Sequence, residues 1–319
     1  MNGKRLVTSA LFGGLLGGAF LATAQMDTIK EVAKGVWFRE GDLKGKGHCN
    51  NVVIEMKDYL VVVDANFPSG AQLLMADIKK ISKKPVKYVF DTHHHGDHAY
   101  GNSLWTKDGA TTIAHIGVAN EMKAREPQRW QDAAKEREDV RALHLATVEP
   151  PKETFSKSPH VITDGTRRLE LHHFGWAHTK GDGFLFMPAE KIIATGDAVV
   201  NGPYNYTADG NVGNWPNVVR GAQKMGATIV LPAHGPNGGV EILAGELAFM
   251  TELHKAVKAA RKSGKKLEDV VTMKDGKAAK ANLTLPAAVK NWVGDFFAAQ
   301  VFDTWKELEA GKPRGDLTL

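Results

Sequence analysis

Asp91-Thr92-His93-His94-His95-Gly96-Asp97-His98 decides the reading of this chain. Four histidines and two carboxylates fall within eight residues, directly after the apolar run Lys87-Tyr88-Val89-Phe90. The pattern predicts a strand that ends in a loop. A strand fixes its last residues in space and the loop turns side chains inward, so His93, His95, Asp97 and His98 can converge on a small volume. Neutral imidazoles and ionised carboxylates are the ligands zinc takes where thiolates are absent, and the same donors suit iron or manganese.

Upstream of the loop, residues 35–38, 51–56 and 59–64 read as strands, with Lys57-Asp58 as a hairpin turn between the last two. Pro68-Ser69-Gly70 opens an amphipathic helix with Leu73, Leu74, Ile78 and Ile81 on one face. Downstream come a short strand at 111–114 and a helix over 116–125. The charged stretch 126–141 reads as helical and solvated. Residues 168–174, 183–187, 191–195 and 228–231 are predicted strands, and 216–225 and 240–262 are predicted helices. Two sets of strands, each followed by helices, predict an α/β fold of two sheets packed face to face with helices outside.

Three later stretches repeat the strand-then-loop setting. His178 and Asp182 follow one predicted strand, Asp197 follows a second and His234 a third, each beside a glycine that permits a tight turn. With these added, the chain resembles the metallo-β-lactamase superfamily, whose motif order H-x-H-x-D-H, His, Asp, His runs here over roughly residues 36–243. The resemblance implies an αβ/βα sandwich, in agreement with the two strand sets. It also implies two zinc ions per chain: one on His93, His95 and His178, the other on Asp97, His98 and His234, with Asp197 bridging. A shared hydroxide would then be the nucleophile on an amide, lactam, lactone or ester, and Asp97 the catalytic group that carries a proton to the leaving group. His48, His94, His115, His172 and His173 fall outside the pattern and are expected to pack or face solvent.

The flanks Gly101-Asn102, Thr112-Ile113-Ala114-His115, Asn211-Val212-Gly213-Asn214-Trp215 and Pro232-Ala233-His234-Gly235-Pro236 look like the β-lactamase branch. Two residues depart from it. Asp197 stands where that branch has a ligand cysteine, and Val200 where it has a lysine that grips a substrate carboxylate. The aspartate instead resembles glyoxalase II and the lactonases. Asn211 and Lys180 are the substrate-contact candidates, with Arg220 a further cation for a carboxylate. Open alternatives are a sulfur- or quinoprotein-associated hydrolase, a mononuclear iron dioxygenase of the same fold, and an exported metal-binding protein without catalysis.

Composition bounds the rest. A chain of 319 residues that is 43% hydrophobic and 24% charged can bury a large core, which excludes disorder and fibrous repeats. Lys and Arg exceed Asp and Glu by 41 to 36 without a long cationic block, so a small-molecule substrate is expected and no nucleic acid. The sequence specifies no oligomeric state. Lys4 and Arg5, the apolar run 6–21 and Ala22-Thr23-Ala24 read as a signal peptide over 1–24, cleaved before Gln25. The expected product is secreted or periplasmic, with no stable membrane span. Cys49 is the only cysteine, which excludes an internal disulfide, and it reads as a small buried residue. The break at Lys262-Ser263-Gly264-Lys265-Lys266 divides a catalytic domain over 25–265 from a helical extension over 266–319, whose apolar residues recur at helical spacing from 285 to 308.

Overall fold

Apolar runs rich in Val, Ile and Phe take the strand period of two and pair into two sheets. The computed structural model describes residues 28–43 and 48–318, so the expected signal peptide lies outside the described residues. The first sheet has the order β1 (Ile29–Ala33), β2 (Val36–Arg39), β3 (Asn51–Glu55), β4 (Leu60–Val63), β5 (Val86–Asp91), β6 (Thr111–His115), β7 (Glu153–Phe155). Its first four strands are antiparallel neighbours; from β4 onward the pairing is parallel. The second sheet contains β8 (His160–Thr163), β9 (Arg168–His172), β10 (Phe184–Met187), β11 (Ile192–Ala194) and β12 (Ile229–Leu231), with only β11 and β12 parallel.

Alternation assigns each side chain to a layer. Val52, Ile54, Val61, Val63 and Phe90 of the first sheet meet Leu169, Leu171, Leu185, Met187 and Ile192 of the second in the sandwich interior. The intervening Val53, Leu60, Val62 and Val89 point the other way, onto Ala71, Leu74 and Ile78 of the Pro68–Ile81 helix. Phe184, Phe186 and Ile193 cover the far face of the second sheet against the Trp215–Gln223 and Glu241–Lys262 helices. This is the two-sheet α/β sandwich that the sequence predicts. Leu73 is an exception to the predicted helix face and is exposed.

The edge strands β1, β7 and β8 were not predicted, and two further segments differ from expectation. The charged stretch 126–141 continues the Ile116–Glu136 helix and ends in the helical turn Glu138–Arg141. Most of it reaches solvent, as predicted, but one stripe faces inward, where Glu126, Trp130 and Val140 are buried, as is Arg125 just before them. Ion pairs of Arg125 with Glu121 and Asp209, and of Arg129 with Glu126, let this helix bury charge. The extension is not one helix. It begins with a helical turn at Leu267–Val270 and a hairpin, β13 (Val271–Lys274) and β14 (Lys277–Ala281), followed by a 3-10 turn at Ala287–Trp292 and the helix Phe297–Ala310. Gly294 interrupts the apolar run where the chain presses on Pro203; a Cβ there would lie 2.5 Å from the proline ring. Val271, Val289, Trp292, Val301 and Trp305 join the cluster that covers the second sheet, so the extension shares a core with the body.

Candidate metal centre

The strands deliver their polar ends to one edge of the sandwich. Asp64 follows β4, the histidine loop follows β5, Asp197 follows β11 and His234 follows β12; His178 lies on the turn between β9 and β10. Gly196 makes the β11 exit possible. Its φ is +54° and a Cβ would stand 2.7 Å from Thr92, so only glycine lets Asp197 approach the β5 loop.

The seven sequence-predicted residues converge as two trios. The donor atoms of His93, His95 and His178 lie within 4.8 Å of one another, as do those of Asp97, His98 and His234. Asp197 sits between the trios and turns one oxygen to each. Its Oδ2 is 3.6 Å from His178 Nε2 and 3.9 Å from His93 Nε2, while its Oδ1 is 3.4 Å from both His98 Nε2 and His234 Nε2. Asp97 Oδ2 is 3.2 Å from His234 Nε2. Four imidazoles are held from behind, leaving the other nitrogen facing inward. Thr92 Oγ1 is 3.1 Å from His93 Nδ1, Asp209 Oδ2 is 2.8 Å from His95 Nε2, Asp64 Oδ2 is 2.9 Å from His98 Nδ1, and the Tyr206 carbonyl is 2.9 Å from His178 Nδ1.

This donor set fits metal ions. His93 Nε2, His98 Nε2 and Asp197 Oδ1 are buried and have no hydrogen-bond partner, a costly arrangement for polar atoms unless a cation completes it. Burial and the neighbouring imidazoles hold His93 far below the usual histidine range and bring His178 down to about 3, so both rings are neutral, the form that ligates a metal. In the other trio burial also opposes charge, but Asp97, Asp197 and Asp64 outweigh it and raise His98; Asp197 and Asp97 likewise bring His234 up to about 9. A cation there would displace those protons.

Two further groupings of donors are orienting networks. Asp64 accepts from Thr92 N and Thr92 Oγ1 at 2.8 Å each, besides holding His98. Asp209 is shared by His95, by Arg125 Nη1 at 3.0 Å, and by Arg129 through two nitrogens at 2.7 and 2.9 Å. Its charge is therefore already matched by two guanidiniums. His94, beside it, is buried and pushed far down by burial and by His95.

A cavity of about 490 Å³ opens on Asp97, Asp197, His95 and His234. Leu43, Tyr100, Tyr204, Tyr206 and Phe296 supply an apolar and aromatic wall, and Glu126 and Arg129 a polar one. Asn211 and Lys180, predicted to touch substrate, are not in this lining. Asn211 Oδ1 instead accepts from Asn214 N at the start of the Trp215–Gln223 helix, and Lys180 pairs with Asp316 at 2.8 Å over the Trp176 ring. Arg220 lies in a separate groove with Asn217 and Lys258. Val200 is fully buried and offers nothing to the cavity.

Asp64, Arg129, Asp209, Tyr206 and Phe296 belong to the site without having been predicted in it. Asp64 carried a usable signal, since it closes β4 as Asp91 closes β5. The stretch 201–214 has neither periodicity nor a metal-ligand spacing, so Tyr206 and Asp209 had none.

A model of the metallo-beta-lactamase superfamily matches residues 45–235. Among solved structures, a metallo-beta-lactamase from Pontibacter korlensis superposes with a TM-score of 0.57 at 22% identity, over 70% of this chain and 98% of that one. The DIM-1 metallo-beta-lactamase gives 0.57 at 20% identity, over 70% and 96%. FIM-1 from Pseudomonas aeruginosa, solved in its mono-zinc form, gives 0.55 at 20%, over 70% and 94%. At these identities the likeness is one of fold.

Proposed function

Because this chain belongs to the metallo-beta-lactamase superfamily, we propose that it is an exported dinuclear zinc hydrolase that cleaves an ester, lactone or amide, lactams included. The observation that carries the reading is Asp197, which turns one oxygen to each of two buried donor trios. His93, His95 and His178 would hold one ion and Asp97, His98 and His234 the other, with Asp197 between them. Bound zinc supplies Lewis acidity, polarising a carbonyl oxygen and lowering the pKa of water.

The chain's own groups do the rest. Asp97 is the more accessible of the two cluster carboxylates, its side chain 23% exposed against 9% for Asp197, and it lines the cavity. From there Asp97 can take a proton and pass it to a leaving group. Tyr204, Tyr206, Leu43 and Phe296 seat an apolar or aromatic acyl group and exclude water from it. A lactam reading draws support from Arg129, whose side chain is 35% exposed in the cavity and could meet a substrate carboxylate in place of the missing lysine.

The test is turnover by zinc-loaded protein starting at Gln25 on a chromogenic cephalosporin, aryl esters and lactones, with Asp97→Ala and His178→Ala as controls. Turnover of any of these that both substitutions abolish is the expected result. Two bound ions without turnover across the whole panel would leave a metal-binding protein and overturn the hydrolase reading. Oxygen consumption with bound iron would replace it with dioxygenase chemistry. Export predicts that the mature chain recovered from a Gram-negative host begins at Gln25.

A further inference from the structure

The extension beyond the family match contains the helix Phe297–Ala310, and this helix buries four polar residues, Gln300, Asp303, Thr304 and Glu307. Buried carboxylates on a helix need partners. Three of these side chains find theirs in the 205–213 loop. Gln300 Nε2 donates to the Asn205 carbonyl at 2.7 Å, and Asp303 Oδ2 accepts from Thr207 Oγ1 at 2.7 Å. Glu307 accepts from Val212 N at 2.9 Å and from Gly213 N at 2.6 Å. Just past the helix, Gly315 N donates to the Gly210 carbonyl at 2.9 Å, and the Gly315 carbonyl accepts from Arg125 at 2.6 Å.

The clamped loop is the one that holds two imidazoles of a single trio. Its Tyr206 carbonyl faces His178 Nδ1 and its Asp209 carboxylate faces His95 Nε2. The other trio takes its orientation elsewhere: His98 is held by Asp64, on a strand end that the extension does not touch through any of these bonds. We propose that Gln300, Asp303 and Glu307 are positioning residues for the His93, His95 and His178 trio alone, acting through the 205–213 loop. The family fold supplies the ligands, and the appended helix fixes the aim of two of them.

The inference rests on the dinuclear reading above, so its test separates the two. Zinc is titrated into the metal-free, full-length mature chain against a chromophoric chelator, giving two stepwise dissociation constants. In Glu307→Gln one step is expected to weaken tenfold or more, the scale on which groups behind a ligand act, while the other moves less than about twofold. The weakened step must be the one that His178→Ala abolishes. Thr207→Val, which removes only the hydroxyl donated to Asp303, carries the same test if Glu307→Gln fails to fold, and Thr207→Ser should restore the wild-type constant. Unchanged constants, or both steps weakening by the same factor, would overturn the inference, the second because it marks a general loosening. A wild-type chain that takes up fewer than two ions defeats the dinuclear reading itself.

Discussion

The two halves of the cluster rest on different kinds of structure. His98 and Asp97 lie on the loop that leaves β5, beside Asp64 at the end of the adjacent strand β4, and Asp64 is locked by two bonds from Thr92. Everything in that half stands within a few residues of a ladder of backbone hydrogen bonds. His95 and His178 depend instead on a loop with no regular structure of its own, whose rigidity is borrowed from Arg125 and Arg129 on one side and the C-terminal helix on the other. One half is built into the sandwich and the other is tied to it, so the first should fail by unfolding and the second by losing aim.

The largest effect that would break this distinction comes from the two orienting carboxylates. Asp64 is buried and sits at φ +66°, so Asp64→Ala takes the acceptor from Thr92 N and His98 Nδ1 and forces alanine into the left-handed region. Chemical denaturation of the metal-free protein should show a loss of about 4 kcal/mol. Asp209→Ala should cost about 2 kcal/mol. It strands fewer charges, because Arg129 keeps Glu126 and some solvent, and Arg125 keeps Glu121 and the Gly315 carbonyl. Equal losses would mean that the loop is as integral to the fold as the strand end.

A smaller effect sharpens the comparison through pH. Glu246, on the Glu241–Lys262 helix, reaches Asn205 at the start of the tied loop at 3.2 Å. Burial pushes its carboxyl up to about 8, against hydrogen bonds that favour the ionised form. An unfolded chain releases that proton near pH 4.5 and the folded chain holds it to about 8. The stability contributed is therefore complete below pH 4.5 and is lost as pH rises through 8. Glu246→Gln should flatten this fall, narrowing the difference in unfolding free energy between pH 5 and pH 9 by a few kcal/mol at most, at roughly 1.4 kcal/mol per unit. A substitution that leaves the pH profile unchanged would show that Glu246 is ionised in the fold and that water reaches it.

What the sequence revealed follows the same division. Nine of the twelve strands in the two sheets were legible as short apolar runs, the central ones buried on both faces, while the edge strands β1, β7 and β8 were not. The seven donors were legible because each follows a strand, four of them crowded into the loop after β5. The supports of the strand-end half were within reach of the same logic, as Asp64 shows. The supports of the tied half were not. Asp209 meets His95 across 114 residues and Glu307 meets Val212 across 95, and contacts at that separation leave no periodic trace in a single chain. The charged stretch 126–141 reaches solvent over most of its length, as its composition says, but its inward stripe was hidden for a related reason: Glu126 and Arg129 look solvated until Tyr100 and Asp209, both distant in sequence, are brought against them. Gly294, which splits the predicted C-terminal helix, is intelligible only once Pro203 is seen pressing on it.

The smallest effect asks which tethers make the tie. Lys180 joins the 314–317 turn to the body through Asp316 at 2.8 Å and lies 4.7 Å above the Trp176 ring, but both charged side chains are about one third exposed, at 32% and 35%. Water competes for such a pair and side-chain entropy opposes it, so Lys180→Ala should cost less than about 1 kcal/mol. Both zinc constants should stay at their wild-type values. The carboxylates of Asp303 and Glu307 are buried, with side-chain or backbone donors at 2.6 to 2.9 Å, and no comparable competition weakens them. If Lys180→Ala nevertheless weakened the His178-dependent zinc step as much as Glu307→Gln does, the coupling would run through the surface of the tail, and burial would not be what makes the helix a support. If the substitution instead raised KM for carboxylate-bearing substrates tenfold while sparing neutral esters, Lys180 would have to leave Asp316 during turnover, and the tied half would be the part of the site that moves.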